Sequence, residues 1–289
     1  MSFSDQLFQY IVDGISVGAV YALIALGFTI IYKATDIINF AQGEFVMLGA
    51  MFMITFWMRG GIPGPLSFVL SVLAVSAVAG LLEIAAIRPA RNSSTITLII
   101  ITIGASIAMR GAAMLIWGKN GIPLRPFSGS EPIKLTEEVI LLPQEIWILA
   151  IAALSMLILY IFFEKTLTGK AMMACAANRR AARLVGIDVD RMVFISFVLS
   201  GGLGAVSGIA IAPNAEAQYD MGVLLGIKGF CAAILGGLGS NIGAVIGGIT
   251  LGVIQELGAG LLSSGYKNAI AFLILLAVLI LRPKGIMGR

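Results

Sequence analysis

Glu164–Arg191, EKTLTGKAMMACAANRRAARLVGIDVDR, is the long polar interruption in a chain otherwise dominated by Leu, Ile, Ala, Val and Gly. Six of the nineteen Lys and Arg residues fall within it: Lys165, Lys170, Arg179, Arg180, Arg183 and Arg191. Long apolar segments lie on either side. A helix needs about 20 mostly apolar residues to cross the hydrocarbon core of a bilayer, and several windows here meet that. The stretch therefore reads as a basic, helix-capable loop joining membrane crossings, a surface suited to a soluble partner.

The totals agree. The chain is 59% hydrophobic and only 12% charged, with a mean hydropathy of +1.01, whereas soluble proteins run about 25% charged. We expect an all-α polytopic membrane protein in which residues 1–289 form a single transmembrane domain, with its loop at about 164–191. Nine apolar segments are legible, at roughly 10–32, 44–58, 66–87, 95–117, 145–163, 192–212, 223–238, 241–260 and 266–282. Those at 44–58 and 223–238 are short, and the second carries Lys228. Short segments often mark broken helices beside a solute route, so the expected number of transmembrane helices is about 8–9.

Basic residues favour the cytoplasmic side. If the segments alternate, Lys33, Arg88, Arg91, the basic loop, Arg282, Lys284 and Arg289 share one side. The N-terminus and the 59–65, 118–143 and 213–222 connections then lie outside. In the outer 118–143 loop, Lys119, Arg125 and Lys134 are accompanied by Glu131, Glu137 and Glu138. The start, Met1–Tyr10, carries Asp5 and no basic residue, unlike a secretory signal peptide. We expect the first segment to remain as an anchor, with the N-terminus outside and the C-terminus cytoplasmic.

Several chemistries find no support. Histidine is absent, and Cys175 and Cys231 imply no disulfide framework or metal set. No nucleophile stands beside a base, so an enzyme is disfavoured and no cofactor is expected in this chain. A G-x-x-x-x-G-K-[ST] motif is missing, so any work from ATP has to come from another polypeptide. The clusters Gly201–Gly208 and Gly236–Gly243 read G-x-G-x-x-x-G, one residue too long for a dinucleotide fingerprint. Small residues four apart instead let membrane helices approach closely.

Within the basic loop, Thr168 is placed to cap a helix from Lys170 to about Val185, with Gly186 as its stop. Met173, Ala177, Ala181 and Leu184 would share one face, and Arg179 and Arg183 another, with Arg180 beside Arg183. The alanine-rich surface would admit a groove closely, with charges setting register. A competing reading is that the arginines only fix topology and touch anionic headgroups, but lipid binding favours bulkier apolar residues. The docking residues are taken as Lys170, Ala176, Ala177, Arg179, Arg180, Ala182, Arg183, Leu184 and Gly186.

Two polar clusters are candidates for a solute route. Asp36, Asn39, Gln42 and Glu44 interrupt apolar sequence, and polar groups at membrane depth tend to line pathways. Asn39, Gln42 and Glu44 are the first choices; a solvated loop is the bland alternative. Asn214, Glu216 and Tyr219, with Gln218 and Asp220, would form an outer mouth or an ordinary polar loop. Arg110, Lys228, Glu83 and Glu256 lie in or near spans and should each find a partner or an interface.

Gly169–Ile187, GKAMMACAANRRAARLVGI, resembles the coupling-helix segment of branched-chain amino acid ABC permeases. So do Gly18–Phe45, GAVYALIALGFTIIYKATDIINFAQGEF, the Gly-rich Ala233–Gly252 and the closing Leu281–Gly288, LRPKGIMG. The likeness covers nearly the whole chain and is to the shorter, H-type permease subunit of the Liv system (LivH), within the wider group that includes ribose-type permeases. It implies an importer in the bacterial inner membrane that moves branched-chain or related amino acids. It also implies a second permease subunit (LivM-like), two cytoplasmic ATP-binding subunits (LivG/LivF-like) that hold ATP and Mg, and a periplasmic substrate-binding protein. The rival class is a self-sufficient secondary transporter or channel. No nucleic acid partner is expected.

Overall fold

The computed structural model describes residues 3–129, 131–134, 139–282 and 285–287. Glu137, Glu138, Lys284 and Arg289, whose charges bear on sidedness, lie outside these. The chain is nearly all helical. The first half holds α1 (Phe3–Thr35), α2 (Gln42–Met53), α3 (Gly64–Leu82) and α4 (Thr95–Trp117). A π-helical turn prolongs α2 to Arg59, and another prolongs α3 to Ile87. Next come two short antiparallel strands, β1 (Ile133–Lys134) and β2 (Ile140–Leu141), and then α5 (Pro143–Lys165). The basic insert is α6 (Leu167–Ala177) and α7 (Arg179–Leu184). The last four helices are α8 (Val189–Ala215), α9 (Met221–Gly236), α10 (Asn241–Leu261) and α11 (Lys267–Leu281).

Among the described residues, seven helices are long and apolar enough to cross a membrane. α9 is apolar but shorter, and α2 with its π turn is not among the seven; these two correspond to the 223–238 and 44–58 segments, the short ones in the sequence.

Helix content does not decide which helices are central, because lipid is as apolar as leucine; close packing decides it. The most apolar window of α1 is 89% buried, whereas that of α11 is 6% buried. The buried positions of α1 are rich in Gly and Ala, and so are those of α8 and α10. A β-carbon added at Gly18 would collide with the backbone of α10 at Gly248 and Ile249. One added at Gly252 would collide with Gly14 and Gly18 of α1. The glycine clusters are thus contact surfaces between backbones. By contrast, α3, α4, α5 and α11 carry exposed Leu and Ile along their outer faces.

The two ends of the bundle gather the segments that alternation assigns to opposite sides. At one end Ile122 bridges to Ala217, the Ile140 N–H donates to Gln9 Oε1 at 3.1 Å, and the Tyr10 ring lies against Gly260. At the other, Lys33 donates to Asn241 Oδ1 at 3.0 Å, and Arg91 pairs with Asp190. The Met287 N–H donates to the Gly236 carbonyl at 3.0 Å at that same end.

The buried charges find neighbours. Glu83 pairs with Arg88 at 2.8 Å and Glu256 with Lys267 at 2.7 Å. Lys228 Nζ lies 5.7 Å from the centre of the Tyr21 ring, whose hydroxyl donates to Gln255 Oε1 at 3.2 Å.

Candidate functional site

The break after α1 turns the chain back into the membrane. Asp36 takes a left-handed conformation with φ 53°, which Asp tolerates better than most side chains. Residues 37–41 then carry the chain away from the bundle end. Depth can be read along α4. At about 1.5 Å rise per residue, Ser106 stands about 16 Å along a 23-residue helix of about 34 Å. Its hydroxyl donates to Glu44 Oε1 at 2.8 Å. One turn earlier, Thr102 Oγ1 accepts from the Phe40 N–H at 3.1 Å. The polar start of α2 therefore sits near mid-membrane rather than in a solvated loop.

Each of the three residues there is enclosed. Asn39 Oδ1 accepts from the Ala41 N–H at 3.1 Å, which fixes the turn into α2. Gln42 Nε2 donates to the Ser200 carbonyl at 3.1 Å, and its Oε1 faces the Ser200 hydroxyl. Glu44 is 1% exposed, and its Oε2 has no hydrogen-bond partner. Polar groups without water need such partners; α8 and α4 supply most of them.

Two short helices meet at this point. A β-carbon on Gly43 would strike the Gly222 carbonyl, and one on Gly222 would strike that of Gly43. Thus α2 and α9 begin against one another inside the bundle. Beside them lies a cavity of about 270 Å³, lined by Glu44, Ser106 and Arg110 together with aromatic and aliphatic side chains.

The second cluster stands apart. Asn214 and Glu216 are exposed at the C-terminal end of α8, Glu216 with φ 34°, and Tyr219 is half-buried at the edge of the apolar cluster that includes Phe45, Leu124 and Ala217. None of the three lines the Glu44 cavity.

The basic insert differs from expectation in how it is built. Instead of one helix over 170–185 there are two, because Asn178 leaves helical geometry and caps α7 by accepting from the Ala181 N–H at 3.0 Å. The cap of α6 is Thr166, which accepts from the Gly169 N–H at 3.0 Å, and not Thr168. Asn is a poor interior helix residue and a strong N-cap, so Asn178 is the signal for the break. With the chain redirected there, Ala177 and Ala181 no longer share a continuous face with Met173 and Leu184.

Gly186 does end the second helix. With φ +87° it lets its N–H reach the Arg183 carbonyl at 3.1 Å and the Ile187 N–H reach that of Ala182 at 3.0 Å. This is a Schellman closure, which requires the left-handed residue.

Lys170, Ala176, Ala177, Arg180, Arg183, Leu184 and Gly186 are exposed, and Leu184 is 88% exposed. Ala182 is 3% exposed and turned inward, so it drops out of the presented face. Arg179 reaches Asp36 at 3.4 Å and Arg183 reaches Asp190 at 3.7 Å. Those ion pairs tie the insert to the turn after α1 and to the first turn of α8. Cys175 is buried beneath the insert, and burial pushes its thiol pKa up against the pull of Arg179 and Arg183.

Residues 10–279 match the family described as branched-chain amino acid transport system / permease component. The chain belongs to this family. It is 35% identical to the high-affinity branched-chain amino acid transport system permease protein LivH of Escherichia coli (strain K12), over 97% of this chain and 95% of that relative. The same figures hold for the permease protein BraD of Pseudomonas aeruginosa. The galactofuranose transporter permease protein YtfT of Escherichia coli is 26% identical, over 96% of this chain and 81% of its own length. The chain is thus a non-catalytic permease component, a multi-pass membrane subunit of an ABC importer. Among the described residues no cluster of His, Cys, Asp and Glu could hold a metal ion.

Proposed function

We propose that this subunit carries branched-chain or related amino acids across the inner membrane. A periplasmic binding protein delivers them, and two ATP-binding subunits that hold ATP and Mg on the cytoplasmic face drive the movement. A second permease subunit of the LivM-like kind completes the path. Glu44 lines it, Asn39 and Gln42 hold the turn and the helix start that place Glu44 there, and Asn214, Glu216 and Tyr219 stand at its outer mouth. The N-terminus is outside and the C-terminus cytoplasmic, which places α6–α7 where the ATPases dock. Nucleotide-driven closure of those subunits pushes the insert, and its ion pairs to Asp36 and Asp190 pass the motion to α1 and α8.

The observation that carries this reading is 35% identity along nearly the whole chain to permeases named for branched-chain amino acids. The test is reconstitution with the second permease, the ATPases and the binding protein in vesicles. ATP-dependent leucine uptake, competed by isoleucine and valine, is expected. Uptake by this chain alone on an ion gradient would instead support a secondary transporter. ATP-driven uptake of a sugar without amino acids would place the chain nearer its galactofuranose-type relative.

A further inference from the structure

The cavity beside Glu44 is built from two facing helical stripes. On α4 its lining residues are Ile103, Ser106, Ile107 and Arg110, spaced at steps of three, one and three, so that they share one face. On α9 they are Gly222, Val223, Gly226, Ile227 and Phe230, at steps of one, three, one and three, which again share one face. Phe28 and Phe40 pack against Phe230 with ring centres 5.6 and 5.7 Å away, closing an aromatic wall. The polar groups Glu44, Ser106 and Arg110 gather on the remaining side.

We propose that this cavity is a transport station for a zwitterionic amino acid with an apolar side chain. The Glu44 carboxylate takes the ammonium group, the Arg110 guanidinium takes the carboxylate, and the Phe28–Phe40–Phe230 wall takes the side chain. This rests on the import reading above and specifies its site.

Three observations support the assignment. The first is charge: an acid and a base line one small cavity at membrane depth, the complement of a zwitterion. Among buried side chains, Glu44 keeps one oxygen without a partner, and such a group calls for an explanation. The second is size. At about 270 Å³ the cavity lies just below the span of about 300–1,000 Å³ usual for drug-sized ligand clefts, which suits a small solute. The third is placement. Ile103 and Ile107 are exposed and Arg110 is half-buried, so the cavity opens on the side of the chain. An arginine opening toward hydrocarbon is costly. The open side therefore faces a water-filled path closed by the second permease subunit.

The assembled transporter with Cys175→Ser and Cys231→Ser provides the background for the test. Ser106→Cys should react with a charged, water-soluble methanethiosulfonate, and leucine supplied with the binding protein and ATP should slow that reaction. Arg110→Gln should lower leucine uptake at least about tenfold, as loss of a charge-assisted hydrogen bond predicts. Arg110→Lys should recover part of it, which separates a charge requirement from misfolding. Uptake in Arg110→Gln within about twofold of the unsubstituted transporter would overturn the assignment while leaving the import reading intact. So would labelling at position 106 that leucine leaves unchanged. An unsubstituted transporter that carries only a sugar would overturn both.

Discussion

A hydrogen atom is all that Gly43 presents to Gly222, and the two short helices can start against one another only because neither has a side chain there. Gly43→Val forces those backbones apart, and overpacking of this kind costs about 1–3 kcal/mol. We expect a lower melting temperature in detergent and loss of uptake, read by thermal unfolding of the purified complex. Cys175 gives a second prediction. Because burial raises its pKa, little thiolate exists near neutral pH. Alkylation by maleimide should be slow at pH 7 and faster as pH rises, unless α6 lifts from the bundle. Single residues were legible where polarity or charge stood out against apolar sequence, as with Gln42, Glu44 and Arg110. Their partners were not. Ser200 and Ser106 are ordinary hydroxyls far away in the chain, and only the folded backbone brings them to Gln42 and Glu44.

At the scale of elements, the insert behaves as two capped helices with a hinge. Asn178→Ala removes a side-chain cap, which costs about 1 kcal/mol, and favours a single continuous helix. Gly186→Val places a β-branched residue at φ +87°, with a penalty of roughly 1–2 kcal/mol. Both changes, and Arg183→Glu, should leave the subunit inserted yet weaken the link between ATP hydrolysis and uptake. The ratio of the two rates in vesicles measures that link, and an unchanged ratio in all three variants would count against the lever. The hinge escaped the sequence because the alanine-rich run to either side of Asn178 favours helix, and an N-cap inside such a run is easily passed over. The weakness of the 44–58 and 223–238 segments was legible by length alone. The stripes on α4 and α9 were not, since an apolar face toward a cavity has the same composition as one toward lipid.

The whole molecule is ordered by side-chain size. Helices rich in Gly and Ala occupy the centre, and helices rich in Leu and Ile surround them. Hydropathy finds both sets and does not separate them, which is why α1 could be recognised as a span but not as the hub. The central claim is that the α6–α7 insert lies in the cytoplasm in the grip of an ATP-binding subunit. A photo-crosslinking residue in place of Leu184, the exposed tip of α7, tests it in cells that make the full transporter. A cross-link to an ATP-binding subunit is expected, with a yield that changes with nucleotide. Labelling of that position by a membrane-impermeant reagent from outside intact cells, with no such cross-link, would contradict it.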